Sequence, residues 1–323
     1  MSAINNRPRT TDHGQLTSPR RGYALAASAA VLWGLSGVIN KFLFRGQVRP
    51  VELVAIRTTL AAIFLFAIFA VFSPQVLKIR RADLPYFLLL GVVGLAANHF
   101  LYYLAVDLTT VGLALLLQYL APLLLMAYGV LSGTERLTLG KVAAGLTAVG
   151  GCALMVFGQP GGVARVSLTG VAIAVASAFA FAFYTSYSQY GLRRYDPRAV
   201  LCYAFLCSAA AWLVLRPLWT MPWARYDRTT WGFFLYLSTF ATVLPFGFYL
   251  ASLRQLEASR ATITSMLEPV VAATLAWVWL GERMAPAQVA GGAAVLCGVI
   301  LLQIEDAPFT KRLAGRMLGR PPE

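Results

Sequence analysis

The sequence predicts an all-α integral membrane protein of ten transmembrane helices, arranged as two inverted five-helix repeats. Three observations lead there. Apolar residues make up 59% of the 323 positions and charged residues only 12%, against about 25% charged in soluble domains. The apolar runs are close to 20 residues long, enough to cross roughly 30 Å of hydrocarbon as helix. Only helices and closed barrels satisfy their backbone groups there, and unbroken runs of this length are helices. Finally, the chain repeats itself. Pro122 and Pro269, Glu135 and Glu282, Val142 and Val289, and Gly145 and Gly292 are each 147 positions apart. Tyr103, Leu104 and Ala105 match Tyr249, Leu250 and Ala251 one residue out of phase, and Gly22 and Trp33 fall on Gly170 and Phe181. Five spans fit in each copy, and an odd number reverses the second copy in the bilayer.

The elements follow in order. Residues 1–21 are polar with Arg and Pro and read as a disordered cytoplasmic tail. The run after them is too long for a signal-peptide core and has no clear cleavage site, so it reads as a retained first span at 22–44. The remaining spans of the first copy, 22–158, are 50–72, 84–105, 110–131 and 138–158. The second copy, 168–304, holds spans at 168–190, 198–219, 229–251, 258–280 and 286–304. The fourth and ninth spans carry Pro122 and Pro269, which predict kinks at equivalent points. The fifth and tenth repeat small residues every fourth position, Gly140, Ala144, Ala148 and Cys152 in one and Ala290, Ala294 and Gly298 in the other. That spacing permits close helix contact, expected within the chain; a homodimer is allowed but not implied. Residues 305–323 form a basic cytoplasmic tail.

The net charge of +14 is a matter of topology rather than of a nucleic-acid partner. Of the 27 lysines and arginines, 18 fall in segments on the side of the termini, 8 on the other side, and Arg57 within a span. Cationic loops face the cytoplasm, so both termini are expected there, in a multi-pass protein of a bacterial-type inner membrane. Cys152, Cys202, Cys207 and Cys297 all fall inside spans with no metal-type spacing, and read as small packing residues. No metal or cofactor is expected. The partners expected are the lipid bilayer and a small-molecule substrate.

The stretch from Tyr102 through Pro122 to Gly133, Thr134, Glu135 and Arg136 resembles the repeat signature of the EamA family of the drug/metabolite transporter superfamily. So does its second copy, ending in Leu280, Gly281, Glu282 and Arg283, and so do Trp33 with Gly34 and Pro50 with Arg57. The resemblance covers about 22–303. It implies the ten-helix inverted-repeat fold and export of small metabolites, often amino acids, without singling out one. Relatives in the superfamily carry phosphorylated or nucleotide-linked sugars.

Charges inside spans are costly in lipid and usually face a cavity or each other. Glu268 lies near mid-depth of the ninth span, directly before Pro269, and its repeat partner is Ala121. It is a candidate substrate-amine anchor or proton carrier, or else a neutral acid bonded to a neighbouring helix. Arg57 has Ala204 as its repeat partner. Its guanidinium suits a substrate carboxylate, or reaches the outer interface, or pairs with Glu52 one turn back. Polar and aromatic candidates for a cavity are Asn98 and His99 in the third span, Gln118 and Tyr119 before Pro122, Trp33, Ser36 and Asn40 in the first, and Tyr184 in the sixth. Singly, each also fits interhelical packing. Bent helices mark binding sites in inverted-repeat carriers, so Pro122 and Pro269 should flank the site. Glu135 and Glu282, in short turns before Arg136 and Arg283, suit capping or a loop ion pair.

These residues favour a secondary transporter, an exporter of small metabolites with amino acids the first expectation, working by alternating access between the repeats. No GxxxxGK[ST] motif occurs, so a gradient would supply the energy. The alternatives are a carrier of phosphorylated or nucleotide-linked sugars, or a non-transporting membrane enzyme or sensor. An enzyme would need a carboxylate or His–acid cluster, and of the two histidines His13 is in the tail.

Overall fold

Ten long helices make up the computed structural model, which describes residues 19–44, 48–158, 167–281 and 284–305. They are α1 (Pro19–Phe44), α2 (Pro50–Phe72), α3 (Arg81–Leu108), α4 (Val111–Leu131), α5 (Leu139–Phe157), α6 (Leu168–Gly191), α7 (Pro197–Leu215), α8 (Arg228–Ser252), α9 (Ala258–Trp279) and α10 (Pro286–Glu305). Nine of them are long and apolar enough to cross a membrane. The tenth, α1, has 26 residues, roughly 39 Å of helix at 1.5 Å per residue. Their outer faces present residues such as Phe72, Leu131 and Val214, as a lipid-facing surface requires. No strand occurs among the described residues.

Short polar residues start the helices where the chain re-enters apolar surroundings. Thr110, Thr138 and Ser167 accept from the backbone N–H three residues on, at 3.2, 3.2 and 3.3 Å, opening α4, α5 and α6. Asp227 does the same for α8 at 2.8 Å, and Asp196 opens α7 by accepting from the Arg198 N–H, two residues on, at 2.9 Å. Each satisfies a donor that the first turn leaves orphaned. Thr138, not Glu135, is therefore the cap of α5.

Some boundaries differ from expectation. Residues 19–21, read as tail, form the first turn of α1, since arginine is a good helix former. Residues 1–18 and 306–323, including most of both expected tails, and Glu282 and Arg283 lie outside the described residues. The seventh span stops at Leu215, not 219. Pro217 removes an N–H and pushes Arg216 out of the helical region, to φ −141°. Two single turns, 218–220 and 223–225, follow.

The inverted repeat shows in what each first helix touches. Helix α1 packs on α8 and α9 of the second copy, while α6 packs on α3 and α4 of the first. Gly22 and Gly170 stand at equivalent contacts. A Cβ on Gly22 would lie 2.7 Å from Leu256, just after α8, and one on Gly170 would lie 2.5 Å from Thr109, just after α3. The copies have thus exchanged their first helices. Tyr23 near the start of α1 donates to the Leu302 carbonyl near the end of α10 at 3.3 Å, so the described ends share one face. Gly170, beside the start of α4, begins α6 at the opposite face.

Helices α5 and α10 meet backbone to backbone. A Cβ on Gly151 would be 2.6 Å from the Gly291 carbonyl, and one on Gly298 2.7 Å from the Ala144 carbonyl. The small-residue contact is intramolecular, as expected. On α10, however, its face is Gly291, Val295 and Gly298, and Ala290 is exposed.

Two pairs of irregularities recur in the copies. Helix α4 breaks at 119–120 and resumes at Ala121; α9 breaks at 266–267 and resumes at Glu268. Pro122 and Pro269 each stand second in the resumed helix, where a missing N–H costs least. Helices α3 and α8 contain π-helical turns at Leu90–Ala96 and Thr239–Val243. Moving the first by 147 residues gives 237–243, which contains the second. Such turns are frequent at functional sites.

Candidate functional site

A cavity of about 430 Å³ lies between the repeats, against the breaks in α4 and α9. It reaches from Trp33, Tyr119 and Glu268 at mid-depth to Val111, Met284 and Gln288 at the face opposite the described ends. Eight of the ten polar or aromatic candidates line it: Glu268, Arg57, His99, Asn98, Gln118, Tyr119, Trp33 and Ser36. Tyr184 does not. It is fully buried behind Phe246, ring centroids 6.0 Å apart, and Phe246 supplies the lining instead. The side chain of Asn40 lies outside the described residues. Pro269 lines the cavity, while Pro122 is buried within its break.

The carboxyl pole is Glu268. It occupies the first turn of the resumed half of α9, where the orphaned N–H groups favour a negative charge. It makes no ion pair among the described residues. The Tyr119 hydroxyl faces it across the break, yet closes a hydrogen bond with no described atom. Gly34 lets α1 come this close, since a Cβ there would lie 2.7 Å from the Glu268 carbonyl. That is the local reason for a glycine after Trp33.

The cationic pole is Arg57. Its guanidinium carbon sits 5.6 Å from the centroid of the Tyr103 ring. Its Nε has no hydrogen-bond partner. Glu52, the neighbour one turn back, is engaged elsewhere: Arg216 donates to it at 3.0 Å and the Tyr226 hydroxyl at 3.1 Å. Burial, and then this bond to Glu52, push the Tyr226 hydroxyl up to about 12. Glu52 thus pins α2 to the segment between α7 and α8, and Arg57 is left without a carboxylate among the described residues. A buried guanidinium in that state is costly.

Between the poles the wall is aromatic and mostly fixed. Trp33 meets Phe246 edge to face at 5.2 Å, and Phe246 meets His99 the same way at 5.8 Å. Tyr249, 5.7 Å from Trp33, is clamped between the Thr185 and Thr262 hydroxyls at 3.0 and 2.7 Å. Gln118 donates to Asn98 at 2.8 Å and ties α4 to α3. Ser36 is turned back onto the Trp33 carbonyl at 2.7 Å. The groups left to a ligand are therefore Arg57 Nε, His99 Nδ1 and the Tyr119 hydroxyl, all buried and unpartnered, together with the Glu268 carboxyl.

Sequence reasoning missed Tyr102, Tyr103, Phe181, Phe246 and Gln288 as lining residues. Cys152, read only as packing, packs and also lines the cavity. The repeat carried a signal for two of these. Phe181 is the equivalent of Trp33, and Phe246 stands 147 residues after His99.

The profile of the EamA-like transporter family matches residues 20–157 and again 168–304. The chain is similar to the uncharacterized inner membrane transporter YicL of Salmonella typhimurium, 27% identical over 90% of this chain and 97% of that protein. It is 26% identical to a probable amino-acid metabolite efflux pump of the same organism, over 93% of this chain and 99% of the other. The threonine/homoserine exporter RhtA of Escherichia coli is 25% identical, over 84% and 87% of the two chains. A protein crystal structure superposes with a TM-score of 0.77 at 21% identity, over 92% of this chain and 99% of that one. That match bears on the fold alone.

Proposed function

We propose that this chain, which belongs to the EamA-like transporter family, is a secondary exporter of small zwitterionic metabolites, amino acids first, by alternating access. One observation carries the reading. A single cavity holds an arginine with an unbonded Nε and no carboxylate partner among the described residues, and a carboxyl without an ion pair there, separated by aromatic walls. An α-amino acid brings the complement of both poles: a carboxylate for Arg57 and an ammonium for Glu268 and Tyr119. A volume of about 430 Å³ is at the small end of ligand pockets, roughly 300–1,000 Å³. The names of relatives that export amino acids or their metabolites point the same way.

Purified protein in liposomes, given a panel of labelled amino acids and imposed pH gradients, tests the cargo. Movement of at least one zwitterion above protein-free liposomes is expected. Uniform failure across the panel would remove the reading. Site occupancy is read separately. In a cysteine-free background, Gln118→Cys and Ser265→Cys should label with a hydrophilic thiol reagent at least about threefold more slowly when a transported amino acid is present. Labelling that no transported solute slows would move the site elsewhere.

The orientation in this reading follows the distribution of cations, with both termini cytoplasmic. Reporter fusions at the N-terminus and after Glu305 should both read cytoplasmic. A periplasmic reading at either end overturns that orientation.

A further inference from the structure

The face opposite the cavity mouth is closed by a buried ionic cluster that joins the repeats. Glu135, in the turn after α4, folds back over Gly129, where a Cβ would lie 2.8 Å from its side chain. Its carboxylate accepts from the Ser259 N–H at 3.2 Å and from the Ser259 hydroxyl. Lys141 of α5, 1% exposed, donates to Glu135 at 3.1 Å and to the Arg136 carbonyl at 3.0 Å. The same ammonium reaches Glu257 at 2.7 Å. Glu257 also holds Arg260 at 2.9 Å, and Arg260 reaches Glu305 at 3.4 Å. Glu135 and Lys141 come from the first copy; Glu257, Ser259 and Arg260 come from the second, and Glu305 is the last residue of α10.

The repeat does not supply this cluster to the other face. Moving Lys141 forward by 147 residues gives Gln288, while Glu135 gives Glu282. Moving Glu257, Ser259 and Arg260 back by 147 gives Thr110, Gly112 and Leu113; by 146, the offset on the other side of the one-residue shift, it gives Val111, Leu113 and Ala114. On either count the lysine, the second acid, the serine and the arginine are all absent. One acid of the cluster is retained and every group that holds it is lost.

We infer that the Glu135–Lys141–Glu257–Ser259 cluster is a one-sided latch. It holds the face carrying the described ends closed, so that the cavity rests open to the opposite face. Passage to the other state requires Glu135 and Lys141 to part from Glu257 and Ser259, against the attraction of a buried lysine for two carboxylates. The return closure, at the Gln288 face, lacks the lysine and the second acid at the repeat-equivalent positions and is the easier one to undo. This rests on the alternating-access reading above but not on the identity of the cargo.

The test reads which side of the membrane reaches the cavity, with no solute present. A cysteine-free protein carrying Ser265→Cys is labelled with a membrane-impermeant thiol reagent in right-side-out and inside-out vesicles. With the latch intact, labelling is expected from the face opposite the described ends. Adding Lys141→Gln, which copies Gln288, should raise the rate from the latched face at least about tenfold. Gln288→Lys gives the second copy the lysine that Lys141 supplies in the first, on a residue that lines the cavity mouth, and should shift access to the latched face as well. Sidedness within twofold of the parent in Lys141→Gln overturns the latch. If that variant is not recovered folded, unchanged sidedness in Gln288→Lys overturns it. Shifted sidedness without amino-acid transport would keep the latch and discard the cargo.

Discussion

Glu268→Gln is expected to leave the protein folded and to cut transport at least about tenfold, equal to about 1.4 kcal/mol of lost stabilisation. The expectation comes from where the carboxyl stands. It opens the second half of a broken helix, faces the cavity beside Tyr119, and pairs with no described cation. A glutamine there keeps the shape and can accept or donate the same hydrogen bonds, so packing against Gly34 and Tyr119 survives. What it loses is the capacity to carry a charge or a proton. If the side chain served only as a neutral hydrogen-bonding group, the change would be nearly silent. Initial rates in liposomes at matched protein density separate these cases. Rates within twofold of the parent across pH 6–8 would take Glu268 out of the mechanism and leave Arg57 with the aromatic lining as the site.

Arg57→Gln should cost more, and selectively. Charge-assisted hydrogen bonds contribute about 1.5–3 kcal/mol, so transport of a carboxylate-bearing amino acid should fall roughly tenfold to hundredfold. The same amino acid as its amide presents no carboxylate, and its already slow transport should change little. Arg57→Lys should restore only part of the rate, because an ammonium lacks the planar fork of a guanidinium. Comparing acid and amide in parent and variant forms a double-difference cycle, which removes effects on folding common to both solutes. An equal loss for acid and amide would mean that Arg57 supports the helix through its contact with Tyr103 rather than holding the cargo.

How much of this was legible in the sequence depended on whether the signal was local or carried by the repeat. The spans were legible because their length and apolarity are local properties. The helix breaks were legible because proline removes a donor wherever it stands, and two prolines 147 residues apart mark equivalent points. Arg57, Glu268, His99 and Gln118 stood out because polar groups are rare at that depth. Phe246, Tyr102 and Tyr103 did not, since aromatic residues are common throughout such a chain and only packing decides which face a cavity. The partner of Glu52 is Arg216, 164 residues away, and the notional pair with Arg57 was wrong because a neighbour one turn back was the only partner that spacing could suggest. The π-helical turns of α3 and α8 were missed as well: Pro245 stands just past the second, but no proline stands at the equivalent point of α3 to mark the pair. On α10 the four-residue spacing of Ala290 and Ala294 pointed one position away from the contact, which Gly291 and Gly298 make.

The exchange of first helices sets an order on the protein's own synthesis. Helix α6 emerges after α3 and α4, so its partners are already in the bilayer when it arrives. For α1 the reverse holds: Trp33 packs on Phe246 and Tyr249, more than 200 residues downstream. At about 5–20 residues per second, the first helix waits roughly 10–40 s for its native neighbours. The finished molecule is nearly symmetric, but its assembly is not. A chain halted after five helices holds one helix whose intended surface has not been made.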